Sequence, residues 1–494
     1  MNEKSDPSHK RNIGNNKTPG STSPDKMVQK KKAGEGADRG SGHSLSRKRF
    51  LGQAAAATAG LMIVPRHVLG GAGYMAPSDK LNVAAVGIGG MGASDIRNIS
   101  ELGENIYALC DVDEYYAARV FGSYPNAKKY TDFREMLDNE PEIDAVVVST
   151  PDNNHAAVAI PAMQLGKHVY VQKPLTRTIY ESRRMAQVAR ETGVKTQMGN
   201  QGHAREGSYK ILEYVRQGLL GDIHKVDTWT DRPRGFWPQS STLHHPTEIV
   251  NVPGTMHWDL WVGPSPYHPY HPAYAPFVWR GFWDFGAGSL GDMGAHIMDQ
   301  PYWALDLGYP DTIHASCTPF TEASFPEGST VHYHFPERNG RPAVELTWYD
   351  GGIQPPRPAE LEDGRQMGAS GGGMIFYGSE GTLMADVYGD NPRFIPESDA
   401  DRIGEPRQTL ERSPGIYAEW VQAIKEDGET TSNFDYAAAL TETMLVGNVA
   451  IRFSSHPQKL EYDAENMRFT NLEEANIWLE QRKQFRPGWR ELIG

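Results

Sequence analysis

The chain has 494 residues, 38% of them hydrophobic and 22% charged, a formal net charge of −13 and two cysteines. That supplies apolar material for more than one ordinary core, and the acidic surplus argues against a nucleic-acid partner. Cys110 and Cys317 stand far apart, outside any CxxC or Cys/His group, so a disulfide framework is excluded and no metal site is expected.

The first 45 or so residues are rich in Gly, Ser, Asn, Lys and Asp and lack periodic apolar positions, a composition that does not offset the entropy of ordering. Ser46-Arg47-Lys48-Arg49-Phe50-Leu51 follows, then the apolar run Ala54 to Val64 and small residues from Gly70. Basic stretch, short apolar stretch and small residues in that order read as an export signal. The apolar run is too short to span a bilayer, which needs roughly 17 to 25 residues. The segment resembles a twin-arginine signal with Lys48 in the second arginine position. Residues 1–76 are therefore expected to be a disordered n-region and signal. The destination is periplasmic without stable membrane insertion, or cytoplasmic if the signal does not function.

From Leu81 the pattern becomes strand, glycine turn, helix. Leu81 to Val86 is apolar, Gly87-Ile88-Gly89-Gly90-Met91-Gly92 follows, and Ala93 to Leu102 has helical spacing. Further strands are expected at Ile106–Cys110, Ile143–Val148, Val169–Val171 and Lys195–Met198, with helices between them. Such alternation predicts an α/β Rossmann domain, a doubly wound parallel sheet, over residues 77–198. Beyond it, β-like segments at 312–319, 330–335, 343–349, 374–377 and 383–387, with helices near 290–305, 416–424 and 437–453, predict an α+β domain. Its sheet is expected to be large and mostly antiparallel, over 199–470, with a tail at 471–494.

Gly87, Gly89 and Gly92 sit where glycine lets the chain turn, pyrophosphate approach the backbone and the helix pack closely, with Gly90 and Met91 between them. Asp111 ends the second strand, where a carboxylate can bond ribose hydroxyls and repel a 2′-phosphate, which favours NAD over NADP. Two later loops leave the carboxyl ends of strands: Ser149-Thr150-Pro151-Asp152-Asn153-Asn154-His155 and Gln172-Lys173-Pro174. From the first, Thr150, Pro151 and His155 are candidate cofactor contacts, as are Gln172 and Lys173 from the second. Lys173 would stabilise alkoxide character as a hydride leaves. On a helix Asp292 and His296 share one face, with His296 able to take a hydroxyl proton; the spacing alone decides nothing. His257, Asp259, Trp279, Arg280 and Trp283 lie in an aromatic stretch that suits sugar faces and hydroxyls, or equally packing and an oligomer arm.

The glycine loop, the Thr-Pro…His loop, the Lys-Pro after the next strand, Asp292-x-x-x-His296 and Gly378-Ser379-Glu380-Gly381-Thr382-Leu383 occur in one order over about 80–455. As a set they resemble the glucose-fructose oxidoreductase / inositol dehydrogenase / rhizopine-catabolism (Gfo/Idh/MocA) family. The resemblance implies bound NAD or NADP, redox chemistry at a hydroxyl of a sugar, cyclitol or glycoside, and a dimer or tetramer. It assigns catalysis to Lys173, Asp292 and His296. Gln172 departs from the family, which usually carries Glu there, and the loss of that carboxylate removes a neighbour that would favour a charged lysine. Three functions stay open: a net dehydrogenase, a glycoside hydrolase working by transient oxidation and elimination, and a non-catalytic dinucleotide- or sugar-binding protein. Because NAD is scarce outside the cytoplasm, a tightly held cofactor is a further expectation.

Overall fold

The computed structural model describes residues 79–479 and 485–494, so the export segment lies outside the described residues. Six parallel strands form the first sheet: β1 (Asn82–Val86), β2 (Asn105–Cys110), β3 (Lys128–Tyr130), β4 (Ala145–Val148), β5 (His168–Val171) and β6 (Thr196–Met198). Their spatial order is β3-β2-β1-β4-β5-β6. Helices α1 (Gly90–Glu101), α2 (Glu114–Ser123), α3 (Phe133–Asn139), α4 (His155–Gln164) and α5 (Ile179–Thr192) connect them. The sequence explains this arrangement: β4 reads Ala-Val-Val-Val and every residue is buried, as a central parallel strand covered on both faces must be. α5 starts from a full capping box, in which Thr178 accepts from the Glu181 amide and Glu181 accepts from the Thr178 amide. Such an N-cap side chain contributes about 1 kcal/mol.

The order reverses between β1 and β4, so the strand ends there diverge and leave a crevice for a ligand. The loops after β1, β4 and β5 all rim that crevice.

A second sheet of nine strands has the order β13-β12-β11-β7-β10-β9-β8-β14-β15. Its strands are β7 (Ile223–Thr230), β8 (Thr312–Cys317), β9 (Ser329–Phe335), β10 (Val344–Tyr349), β11 (Gly372–Gly378), β12 (Thr382–Asp386), β13 (Arg393–Ile395), β14 (Leu460–Asp463) and β15 (Arg468–Phe469). Only the β7–β10 pair is parallel. β9 shows the period-two logic of a sheet with two unlike faces: Val331, Tyr333 and Phe335 are buried, while Thr330, His332 and His334 face the other way and are less covered.

Three helices join this sheet to the crevice: α6 (Glu206–Arg216), α7 (Gly288–Ile297) and α8 (Phe434–Arg452). α7 and α8 approach so closely that a Cβ on Gly294 would stand 2.7 Å from the Met444 sulfur. Leu175, just after β5, donates its amide to the Thr441 hydroxyl of α8. The Lys173 loop and the Asp292/His296 helix are thus seated on one buried support. The single helix expected near 290–305 is two, α7 and a shorter one at Asp299–Leu305. No helix among the described residues is long and apolar enough to cross a membrane.

Candidate active site

The crevice holds a cavity of about 600 Å³. Backbone makes its floor. Gly87 has φ +79°, and a Cβ there would meet the Ser149–Thr150 peptide at 2.8 Å; a Cβ on Gly92 would stand 2.0 Å from the Gly87 carbonyl oxygen. Side chains are therefore barred at Gly87 and Gly92, where β1 turns into α1, and the N-terminus of that helix borders the cavity. Gly87, Gly89, Gly90 and Met91 line it, whereas Gly92 lies behind and allows the packing.

Asp111 also lines the cavity, and its carboxylate is turned onto the loop. Oδ2 accepts the amides of Ile88 at 2.8 Å and Gly89 at 3.2 Å, and Oδ1 that of Asp113 at 2.9 Å. Burial pushes its pKa up to about 6 against these bonds. The residue thus rigidifies the glycine turn while presenting its remaining lone pairs to the cavity. A loop that excludes Cβ atoms and sets a carboxylate beside it fits a dinucleotide.

Thr150, Pro151, Gln172 and Lys173 line the same space. His155 does not: buried behind the wall, its Nδ1 lies 3.0 Å from the Pro174 carbonyl and its Nε2 3.0 Å from that of Thr150, bracing the two loops. Gln172 explains its own departure from glutamate. Its amide donates to both oxygens of the buried Asp95, at 2.9 and 3.0 Å, and the same carboxylate accepts from Ser149 and Tyr417 at 2.7 Å. Asp95 on α1 supplies a carboxylate next to position 172, and a second one there would be a buried like-charge pair.

Lys173 Nζ donates to Asp292 Oδ1 at 2.7 Å and to the Asp292 carbonyl at 3.0 Å, and Arg280 Nε lies 3.4 Å from the same Oδ1. Burial opposes ionisation of Asp292, but the charges of Lys173 and Arg280 hold its carboxyl well below the usual range. His296 lines the cavity and is 3% exposed, and its Nδ1 has no hydrogen-bond partner among the described residues. Burial first, then the Lys173 charge, pushes the imidazole well below its ordinary value. At neutral pH it is a free base beside a fixed ammonium.

Two of the five expected substrate residues, Trp279 and Arg280, reach the cavity. The other three do not, which corrects the sequence expectation. His257 is exposed; Asp259 is exposed and paired with Arg486 at 2.6 Å. Trp283 packs on Phe325, ring centroids 3.5 Å apart, under the guanidinium of Arg452. Conversely, Asp152 and Tyr388 line the cavity without having been singled out. Asp152 is 5% exposed, accepts the Ala287 amide at 3.0 Å, and is pushed to about 7 by burial against the pull of Arg280. Tyr388 has φ +67° and sets its ring 4.6 Å from that of His296. Asp152 was within reach of sequence reasoning, since it follows Pro151 in a loop already recognised. Tyr388 carries no local signal.

Residues 81–200 match the family described as "Oxidoreductase family, NAD-binding Rossmann fold", and residues 208–317 its "C-terminal alpha/beta domain". Residues 81–200 and 208–317 thus match both domain models of the Gfo/Idh/MocA oxidoreductase family. Among curated relatives, Glycosyl hydrolase family 109 protein 1 of Shewanella sp. (strain ANA-3) is 32% identical over 207 residues, 37% of this chain and 45% of that protein. An alpha-N-acetylgalactosaminidase of Shewanella oneidensis is also 32% identical over 207 residues, with the same shares of the two chains. The chain therefore matches less than half the length of these relatives. Among solved structures, the WlbA dehydrogenase of Bordetella pertussis, in complex with NADH and UDP-GlcNAcA, is similar with TM-score 0.53 and 17% identity, covering 78% of this chain and 99% of that one. A levoglucosan dehydrogenase in complex with NADH is similar with TM-score 0.54 and 17% identity, covering 77% and 99%. At such identities the fold alone is what these structures share with the chain.

Proposed function

We propose that the chain is an NAD-dependent oxidoreductase that transfers a hydride between a hydroxyl-bearing carbon of a sugar, cyclitol or glycoside and the nicotinamide. The observation that carries this reading is the cavity shared by a Cβ-excluding glycine loop, a lysine fixed by Asp292 and a histidine kept neutral. Bound on the glycine loop, NAD would supply the hydride acceptor. Lys173 has two of its three N–H bonds engaged by Asp292, which leaves one for a substrate oxygen. That bond strengthens as the oxygen gains alkoxide character. His296 takes the hydroxyl proton as its free imidazole, while the carbon's hydride leaves. Arg280 and Trp279 offer a charge and a flat face for the rest of the substrate. Asp111 favours NAD over NADP, because its buried carboxylate would repel a 2′-phosphate.

A second reading is supported by the names of the curated relatives: oxidation of a glycoside, elimination of its aglycone and re-reduction, with no net NADH. Export through the Ser46–Leu51 segment, a tightly held cofactor and a homo-oligomer are parts of the proposal that rest on the sequence alone.

The test is absorbance at 340 nm with NAD and a panel of sugars, cyclitols and glycosides, while chromatography follows the organic products. A rise abolished in Lys173→Ala and His296→Ala supports the dehydrogenase. Cleaved glycoside with no rise replaces it by the second reading, and no product from any member of the panel removes both.

A further inference from the structure

Outside the cavity, one cluster has the composition of a metal site. Within the insertion between β7 and α7, His245, His268 and Asp284 bring one ligand atom each within 4.8 Å of one another. His268 Nε2 lies 2.7 Å and His245 Nε2 3.5 Å from the same oxygen, Asp284 Oδ2. The two imidazoles are stacked, centroids 3.9 Å apart and planes 18° from parallel, so both Nε2 edges face Asp284.

The surroundings are built to hold these groups. His245 Nδ1 lies 3.0 Å from the Tyr274 hydroxyl, the outer-shell partner that metal-binding histidines commonly have on their second nitrogen. Trp258 Nε1 donates to the His268 carbonyl at 2.8 Å, and Ser265 donates to the Asp284 carbonyl. Two of the three backbones are thereby fixed. Phe282, Phe285 and Tyr274 pack around the pair of rings. The three side chains are about a quarter exposed, which leaves room for water to complete the coordination shell.

We propose that His245, His268 and Asp284 bind a divalent transition metal of the zinc type, with solvent in the remaining position. Two imidazoles and a carboxylate suit Zn²⁺, whereas Mg²⁺ prefers oxygen donors alone. The role is structural. The ion ties three separate stretches of the insertion, and Asp284 lies only a few residues from the cavity-lining Trp279 and Arg280. The adjoining Phe285 carbonyl accepts the amide of Asn153, and Ala287 donates to Asp152, so this segment abuts the loop after β4. The spacing of the ligands follows no metal motif, so no sequence pattern marks them. The inference does not depend on the proposed dehydrogenase activity.

The test is Zn²⁺ titration of the full chain, stripped with a chelator and followed by calorimetry and thermal melting. One equivalent is expected to bind with a higher melting temperature, in the presence of excess Mg²⁺. His268→Ala and Asp284→Asn, shown to be folded by circular dichroism, should each lose about hundredfold in affinity or more, and Tyr274→Phe about tenfold. His244→Ala/His271→Ala, which leaves the cluster intact, should bind as the parent does. X-ray absorption of the zinc-loaded parent provides a reading free of any folding defect: imidazole nitrogens with oxygen are expected. No uptake at micromolar zinc, uptake indifferent to His268 and Asp284, or a shell of oxygen alone would each overturn the proposal.

Discussion

The turn from β1 into α1 and the stretch from Trp229 to Trp283 both border the same cavity, but they build it from different material. In the first, the backbone is the site: glycines remove side chains, and the Ile88 and Gly89 amides are pinned by the Asp111 carboxylate. In the second, the site is whichever side chains an irregular segment directs inward, and most of its aromatic residues serve the segment's own packing. Trp258 is stacked on the cavity-lining Trp261, centroids 4.5 Å apart, and Trp283 packs at a tilt against Phe325. Local sequence fixes a backbone site, while the direction of a loop side chain is set by distant partners.

The largest effects should come from the residues that stand between these regions. Lys173→Ala is expected to lower kcat/KM by about a thousandfold, roughly 4 kcal/mol of transition-state stabilisation, with NADH binding retained by fluorescence titration. His296→Ala should lose on the order of 10²- to 10⁴-fold in kcat with a much smaller change in KM. On the backbone side, Gly92→Ala forces a Cβ to 2.0 Å from the Gly87 oxygen and should abolish cofactor binding. Gly122→Ala, where a Cβ meets nothing within 4 Å, should be silent, and equal loss in both would dissolve the distinction.

Within the aromatic stretch the comparison sharpens into a contrast of neighbours. Arg280→Ala should raise KM for the organic substrate by about tenfold or more, as loss of a charged hydrogen bond does. His257→Ala and Asp259→Ala, both exposed and off the cavity wall, should leave KM unchanged. A KM effect from His257 equal to that from Arg280 would mean that the loop closes differently when substrate binds.

The smallest and most specific effect is one of pH. Asp152 has its pKa raised to about 7 by burial, so the stability it lends is complete below the ordinary carboxylate range. That contribution is lost as pH rises through about 7. Asp111 and Asp350 are raised too, which makes the difference between parent and Asp152→Asn the useful quantity. The variant should gain melting temperature relative to the parent between pH 5 and pH 8, with an upper bound of about 3 kcal/mol across that window. Parallel melting curves across that range would place the Asp152 titration elsewhere.

How much the sequence disclosed follows the same division. The strands at Ile106–Cys110, Ile143–Val148 and Val169–Val171 were legible because burial leaves continuous apolar runs, as were β11 and β12, and β8 and β9 through their alternation. β7, at the heart of the second sheet, was not recognised. Its buried Asp227, Thr228 and Thr230 replace the apolar signal with polar residues, and Asp227 pairs with Lys225, two residues earlier on the same strand, at 2.8 Å. β3 is three largely exposed residues, Lys-Lys-Tyr, too short to show a period. In the site, Lys173, Asp292 and His296 were found through their motifs, and the structure adds what no motif contains: the lysine–aspartate bond, and the burial that keeps the imidazole neutral. The compensation of Gln172 by Asp95 and the arrival of Tyr388 depend on chain segments far apart in sequence.

The central claim is that cofactor and substrate meet in one cavity at Lys173 and His296. The measurement that tests it most directly is the position of the nicotinamide ring in crystals of the protein grown with NAD. The ring is expected with its reactive carbon about 3–4 Å from the space between the Lys173 ammonium and the His296 imidazole, within reach of a near-attack geometry. A dinucleotide lying along the glycine loop with its nicotinamide directed out of that cavity would contradict the account.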